Sequence, residues 1–143
     1  MKLRKQDKFN KILSIILVVL WCLLIFYLSN QKGSISQNNS DSLVEFLNRI
    51  GINFPNMAFI IRKLAHMTLY FILYFLVYYL MYQFNIKRRK YLSLLFCFLY
   101  SVSDEVHQLF VVNRSGEVRD ILIDTISSFG ASLLIKLKKS CKS

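Results

Sequence analysis

Four apolar runs, at residues 12–28, 57–84, 91–112 and 121–137, set the limits on what this chain can become. At about 1.5 Å of rise per residue, helices of these lengths span a bilayer core of roughly 30 Å, the first and last being the shortest. The composition agrees: 55% of residues are hydrophobic, 15% are aromatic, and the mean hydropathy is +0.40. That is too apolar for a soluble domain of 143 residues. The pattern predicts an all-α integral membrane protein, one domain over residues 1–143, with four transmembrane helices in an antiparallel bundle.

Lysine and arginine set an orientation. Lys2, Arg4, Lys5, Lys8 and Lys11 precede the first run, Lys87, Arg88, Arg89 and Lys90 join the second to the third, and Lys136, Lys138, Lys139 and Lys142 follow the fourth. The other two connections balance Lys32 and Arg49 against Asp41 and Glu45, and Arg114 and Arg119 against Glu117 and Asp120. The positive-inside rule then puts both termini and the short basic loop in the cytoplasm. The first run is longer than a signal-peptide core, and Ser29-Asn30-Gln31-Lys32 is no small-residue cleavage site, so a retained signal anchor is expected. The net charge of +11 sits in those three basic stretches. Topology selection and anionic headgroups account for it, and nucleic acid is not the expected partner.

The loop at 29–56 is the only sizeable one on the opposite side. Leu43, Phe46, Leu47 and Ile50 repeat at helical spacing, Ser42 and Glu45 have capping-box spacing, and Gly51 is a stop signal. A short amphipathic helix lying flat on the outer interface is expected there. Pro55 suits a first-turn position in the helix that follows. Cys22 and Cys97 fall in apolar runs and Cys141 in the tail, so neither a disulfide nor a thiol nucleophile is expected.

The polar residues inside the runs all fall toward one end of the bundle. Arg62 and Lys63 precede His66 in the second run; Asp104, Glu105 and Gln108 close the third; Arg114 and Arg119 lie beyond it; Asp120 and Asp124 open the fourth. Helical spacing sharpens the convergence. Arg62, His66 and Tyr70 form one stripe with Tyr74 a turn deeper, Ser101, Asp104, Glu105 and Gln108 share a face, and His107 points elsewhere though within reach of Asp104. Asp120 stacks on Asp124, followed by Ser127, Ser128 and Ala131, small residues that let helices approach closely. Four basic groups, Arg62, Lys63, Arg114 and Arg119, match Asp104, Glu105, Asp120 and Asp124 in number, so a nearly neutral, internally paired site at the outer face is expected. Charges placed within membrane helices are costly and mark function.

These residues also carry a family resemblance. A helix opening Arg62-Lys63-x-x-His66-x-x-x-Tyr70, then Ser101, Asp104 and Glu105 running into Gln108, then Arg114 and Asp120 heading the last helix, resembles the VanZ-like family, and Ser29-x-Gln31 fits the same pattern. Asp124 and Ser127 depart from it, standing where the pattern has Asn and Gly. The resemblance implies a bacterial plasma-membrane protein with an envelope role; the family is named for a protein linked to low-level resistance to teicoplanin, a lipoglycopeptide that acts on cell-wall precursors outside the cell.

Four readings of the cluster stand at this point. The charges can pair across helices and fix the bundle's register. They can form an enzyme site on a lipid-linked or cell-wall substrate, with His66 as base or nucleophile oriented by Asp104 or Glu105, and Arg62 and Arg114 holding a phosphate or carboxylate. They can bind an anionic lipid or lipid carrier through Arg62, Lys63 and Arg114 without chemistry. Metal binding by His66, His107 and the carboxylates is the fourth, opposed by the neighbouring arginines and by the absence of a zincin spacing in Asp104-Glu105-Val106-His107. No metal or cofactor is therefore expected, and membrane lipids are the expected partners. The residues expected to matter are Arg62, Lys63, His66, Asp104, Glu105, Gln108, Arg114 and Asp120, with Asp124 secondary.

Overall fold

The computed structural model describes residues 2–31, 33–112 and 116–140, with side chains described for 6–31, 40–112 and 116–135. Five helices and no strand occur among them: α1 (Lys2–Ser29), α2 (Gly33–Arg49), α3 (Met57–Gln83), α4 (Arg89–Gln108) and α5 (Val118–Ser140). The all-helical expectation is met. By length and apolarity alone, however, two helical stretches qualify to cross a membrane, Gln6–Ser29 and Met57–Gln83, rather than the four expected. Arg89, Lys90, Asp104 and Glu105 in α4, and Arg119, Asp120, Asp124 and the terminal lysines in α5, interrupt the apolar sequence of the other two.

α3 is the central element, packed against all four other helices, and α4 also packs on α5 and α1. The chain direction alternates. Ser29 at the end of α1 meets Gln108 at the end of α4, while Ser101 of α4 meets Asp124 near the start of α5. At the opposite end Lys11 of α1 lies over the ring of Phe84, just past α3. The turn at 84–88 between α3 and α4 leaves Asn85 in the left-handed region, with Lys87 and Arg88 exposed. Arg89 returns over the rings of Tyr78 and Tyr82, bonding the Tyr78 hydroxyl at 3.1 Å.

The interior is built from small residues and a few large rings. Tyr70, Leu73, Tyr74, Val77, Cys97 and Ala131 are at most 1% exposed, and Ser14, Ser93, Ser101 and Ser128 are equally buried. On α5 the serines face α3: the Ser127 hydroxyl donates to the Met67 carbonyl and that of Ser128 to the Tyr70 carbonyl at 3.4 Å. Small side chains allow this close approach, and the hydroxyls find acceptors on the neighbouring backbone. Two further bonds tie α1 in place, from the Trp21 indole N–H to the Leu69 carbonyl at 3.0 Å and from the Tyr100 hydroxyl to the Cys22 carbonyl at 2.6 Å. The large apolar side chains point outward instead: Leu20 and Leu23 of α1, Leu95 and Leu99 of α4, and Ile126 and Phe129 of α5 are all more than half exposed.

Two local expectations change. The amphipathic helix begins at Gly33, so Ser42 is an interior residue and not an N-cap; packing of α2 against α3, with Ser40 buried, extends the helix through a Ser/Asn-rich stretch of poor intrinsic propensity. Its end is as expected, with Gly51 at φ +86° closing the turn. Pro55 lies before α3 in a turn, and Asn56, also left-handed, takes the N-cap position. α4 stops at Gln108, short of residue 112.

Candidate functional site

The polar stripes of α3, α4 and α5 do converge, at the end of the bundle where α1 and α4 finish. His66 lies nine residues after Met57, about 14 Å along the helix at 1.5 Å per residue, while Ser29 and Gln108 close α1 and α4, so the convergence runs inward from the end of the bundle. Asp104, Glu105, Gln108 and Asp124 are 5, 4, 4 and 1% exposed, a degree of burial carboxylates reach only when compensated.

The compensation is specific. Gln108 Nε2 donates to Ser29 Oγ at 2.8 Å and lies 3.3 Å from both Asp104 Oδ2 and Glu105 Oε1, one acceptor more than its two hydrogens can serve. The second oxygen of Glu105 accepts the backbone N–H of Glu117 at 2.9 Å. Asp124 Oδ2 accepts from Ser101 at 3.0 Å and lies 3.8 Å from His66 Nδ1, beyond hydrogen-bond length. His66 Nδ1 and Asp124 Oδ1 are both buried without a hydrogen-bond partner. Lys63 is paired elsewhere, with Asp120 and, at 3.6 Å, with Glu117, while lying over the Phe59 ring.

Of the residues singled out from sequence, His66, Asp104, Glu105, Gln108 and Asp124 come together in one cluster, and Lys63 and Asp120 form a pair beside it. Arg119 is exposed, and Arg114 lies outside the described residues. Of the pairing expected from the count of charges, Lys63 with Asp120 is present, whereas Asp104, Glu105 and Asp124 have no ion pair with a Lys or Arg among the described residues. These three are met by an amide and a hydroxyl on the inward faces of α4 and by a backbone N–H from the connection before α5. His107 turns away as its spacing suggests, stacking on Phe26 at 4.6 Å and approaching Asn30 Oδ1 at 3.3 Å.

Gly116 and Glu117 were not legible as site residues. A Cβ at Gly116 would stand 2.6 Å from the Glu105 carbonyl oxygen, so only glycine lets the connection pass close enough for the Glu117 N–H to reach the Glu105 carboxylate. The one signal is a glycine in a short polar connection, directly before Glu117. Ser29 stands out in the sequence only through the Ser29-x-Gln31 pattern, and its role as acceptor for Gln108 explains why a serine ends α1.

Arg62 faces a different surface of the same region. A pocket of about 190 Å³ lies between α1, α2 and α3, with Ile25, Leu28, Leu43, Ile61 and Leu69 as apolar walls and Ser29, Gln31, Ser40, Arg62 and His66 as its polar members. His66 thus borders both the pocket and the buried carboxylates. One nitrogen of His66 and one oxygen each from Asp104 and Glu105 lie within 4.8 Å of one another, a set of donors from two helices that no spacing along a single helix could have displayed.

An all-helical bundle with small and ionisable residues inside, large apolar residues outside and two helices able to cross a bilayer has the build of a membrane-associated protein. The model of the VanZ/LLP1 family matches residues 14–139, and the chain belongs to that family. No curated protein and no solved structure matches it.

Proposed function

We propose that this VanZ/LLP1-family protein is a four-span membrane protein, both termini cytoplasmic, that binds the headgroup of an anionic lipid or lipid-linked cell-wall precursor at its outer face. The observation that carries the reading is the pocket between α1, α2 and α3, where Arg62 and His66 stand among otherwise mostly aliphatic walls. Such a lining suits a ligand with an anionic head and an apolar chain. A guanidinium offers a phosphate paired N–H donors, and the aliphatic side chains accept the methylenes at roughly 0.8 kcal/mol per buried CH₂.

The four-span topology rests on the inside-out distribution of side chains. α4 and α5 have low overall apolarity because their polar faces are turned toward one another and toward α3, while Leu95, Leu99, Ile126 and Phe129 face outward. Average hydropathy counts the inward face; a bilayer meets only the outward one. The basic stretch 87–90 lies at the bundle end opposite the site, which supports an outer location for the site under the positive-inside rule. An outer anionic-lipid site also fits an envelope role and, through occupancy of cell-wall precursors, an influence on teicoplanin susceptibility.

The test is lipid binding by the purified full-length protein in nanodiscs of zwitterionic lipid, with phosphatidylglycerol or a polyprenyl phosphate added, read by native mass spectrometry. Retention of the anionic lipid by wild type, reduced at least tenfold in Arg62→Gln, is expected. Equal retention by both proteins contradicts the reading. A single cysteine placed at Asn30 in a cysteine-free background should react with a membrane-impermeant maleimide added to intact cells, and protection there contradicts the orientation.

A further inference from the structure

We infer that His66, Asp104 and Glu105 form a binding site for a divalent metal ion of the zinc or manganese type, with Asp124 orienting the histidine from behind. Three observations converge on it, none of which requires that the pocket hold a lipid.

The first is proximity. Donor atoms around a zinc ion at bond lengths of about 2.0–2.2 Å stand roughly 3–4 Å apart. The nitrogen of His66 and the oxygens of Asp104 and Glu105 already lie within 4.8 Å of one another, so a small rotation of the side chains closes the set. One imidazole and two carboxylates form a mixed nitrogen and oxygen set, which suits zinc or manganese better than calcium and leaves coordination positions open.

The second is charge. Asp104, Glu105 and Asp124 are all at least 95% buried, and among the described residues no Lys or Arg forms an ion pair with any of them. Lys63 is committed to Asp120 and Glu117, and Arg119 is exposed, so the basic groups that would oppose a cation do not all point at this site. Gln108 Nε2 stands against Asp104 and Glu105 with fewer hydrogens than acceptors. An ion satisfies both carboxylates at once, and the amide, turned over, can offer its oxygen.

The third is the orphaned pair behind the histidine. His66 Nδ1 and Asp124 Oδ1 are buried and without partners, and Asp124 Oδ2 is 3.8 Å from His66 Nδ1. A displacement of less than 1 Å makes the hydrogen bond by which a carboxylate fixes the tautomer of a metal-ligating histidine. That bond leaves Nε2 for the metal, and the imidazole turns about its own axis to bring this nitrogen to Asp104 and Glu105. Ser101 holds Asp124 in place at 3.0 Å.

The experiment uses the full-length protein in detergent, stripped with a chelator and titrated with Zn²⁺ or Mn²⁺ alone, with bound metal per chain measured by calorimetry and elemental analysis. One ion per chain is expected, with affinity at least tenfold lower in His66→Ala and in Glu105→Gln, and about 10–100-fold lower in Asp124→Leu. His107→Gln removes the other histidine and should bind as wild type. No saturable binding overturns the proposal, as does binding lost in His107→Gln but kept in His66→Ala. Should the site variants fail to fold, pulsed electron paramagnetic resonance of Mn²⁺-loaded wild type decides: coupling to one histidine nitrogen that persists in His107→Gln supports the site, and its absence overturns it. Lipid retention by the metal-free protein is a separate readout, so loss of metal binding and loss of lipid binding remain distinguishable.

Discussion

The two ends of this bundle bury different things. Toward the basic turn, α1, α3, α4 and α5 enclose Leu73, Tyr74, Val77, Cys97, Ser93 and Ala131, an interior of small and apolar side chains whose serine hydroxyl at position 93 bonds its own helix. Toward the other end the same helices enclose His66, Asp104, Glu105, Gln108 and Asp124, and while each end leaves a tyrosine hydroxyl or other buried polar atom without a partner, only this one leaves a carboxylate oxygen and an imidazole nitrogen so. Helices associate in a bilayer by close packing, and the basic end meets that need without buried carboxylates or histidine. On the proposed function, the carboxylate end does more than hold the helices together. A bundle whose one end packs with small and apolar residues has no stability reason to place three carboxylates at the other.

That contrast can be broken most sharply from the packing side. Ala131→Phe inserts a ring where no surface is exposed, and overpacking of this kind costs typically about 1–3 kcal/mol. It should lower the thermal midpoint in detergent by several degrees while the folded fraction keeps its anionic-lipid affinity. Arg62→Ala should do the reverse, losing a charged hydrogen bond of about 1.5–3 kcal/mol in binding, seen as a tenfold or greater rise in Kd with little change in midpoint. Gly116→Ala touches both properties. The 2.6 Å approach to the Glu105 carbonyl forces the connection away and detaches the Glu117 N–H, for a destabilisation of about 1–2 kcal/mol measurable by denaturation in mixed micelles. Phe129→Leu, on the outward face of α5, should fall within about 0.5 kcal/mol of wild type by the same assay.

Much of this architecture could be read from residue order. The second apolar run, 57–84, corresponds to α3 at Met57–Gln83; His66, Asp104, Glu105, Gln108 and Asp124 of the three stripes meet, while Arg62 turns to the pocket, and Ser127 and Ser128 bond across the α3–α5 contact. What escaped was set by tertiary contact. The first two turns of α2 lie in a Ser/Asn-rich stretch whose propensity argues for a loop, yet the helix, which as a whole packs on α3, begins at Gly33. The partners of the buried carboxylates are an amide, a hydroxyl and the N–H of Glu117, and none of these announces itself in a count of charges. The departures Asp124 and Ser127 also gain a physical account: Ser127 is still small and adds a bond to the Met67 carbonyl, and Asp124 accepts from Ser101 beside His66.

The most direct test of the division between the two ends is a paired measurement of anionic-lipid affinity and thermal midpoint on Arg62→Ala and Ala131→Phe, each reconstituted in the same nanodiscs. The account predicts a double dissociation, with affinity lost at a preserved midpoint in the first and a lowered midpoint at a preserved affinity in the second. If Arg62→Ala instead lowers the midpoint and binds lipid as wild type does, the polar end is part of the scaffold and the proposed function is contradicted.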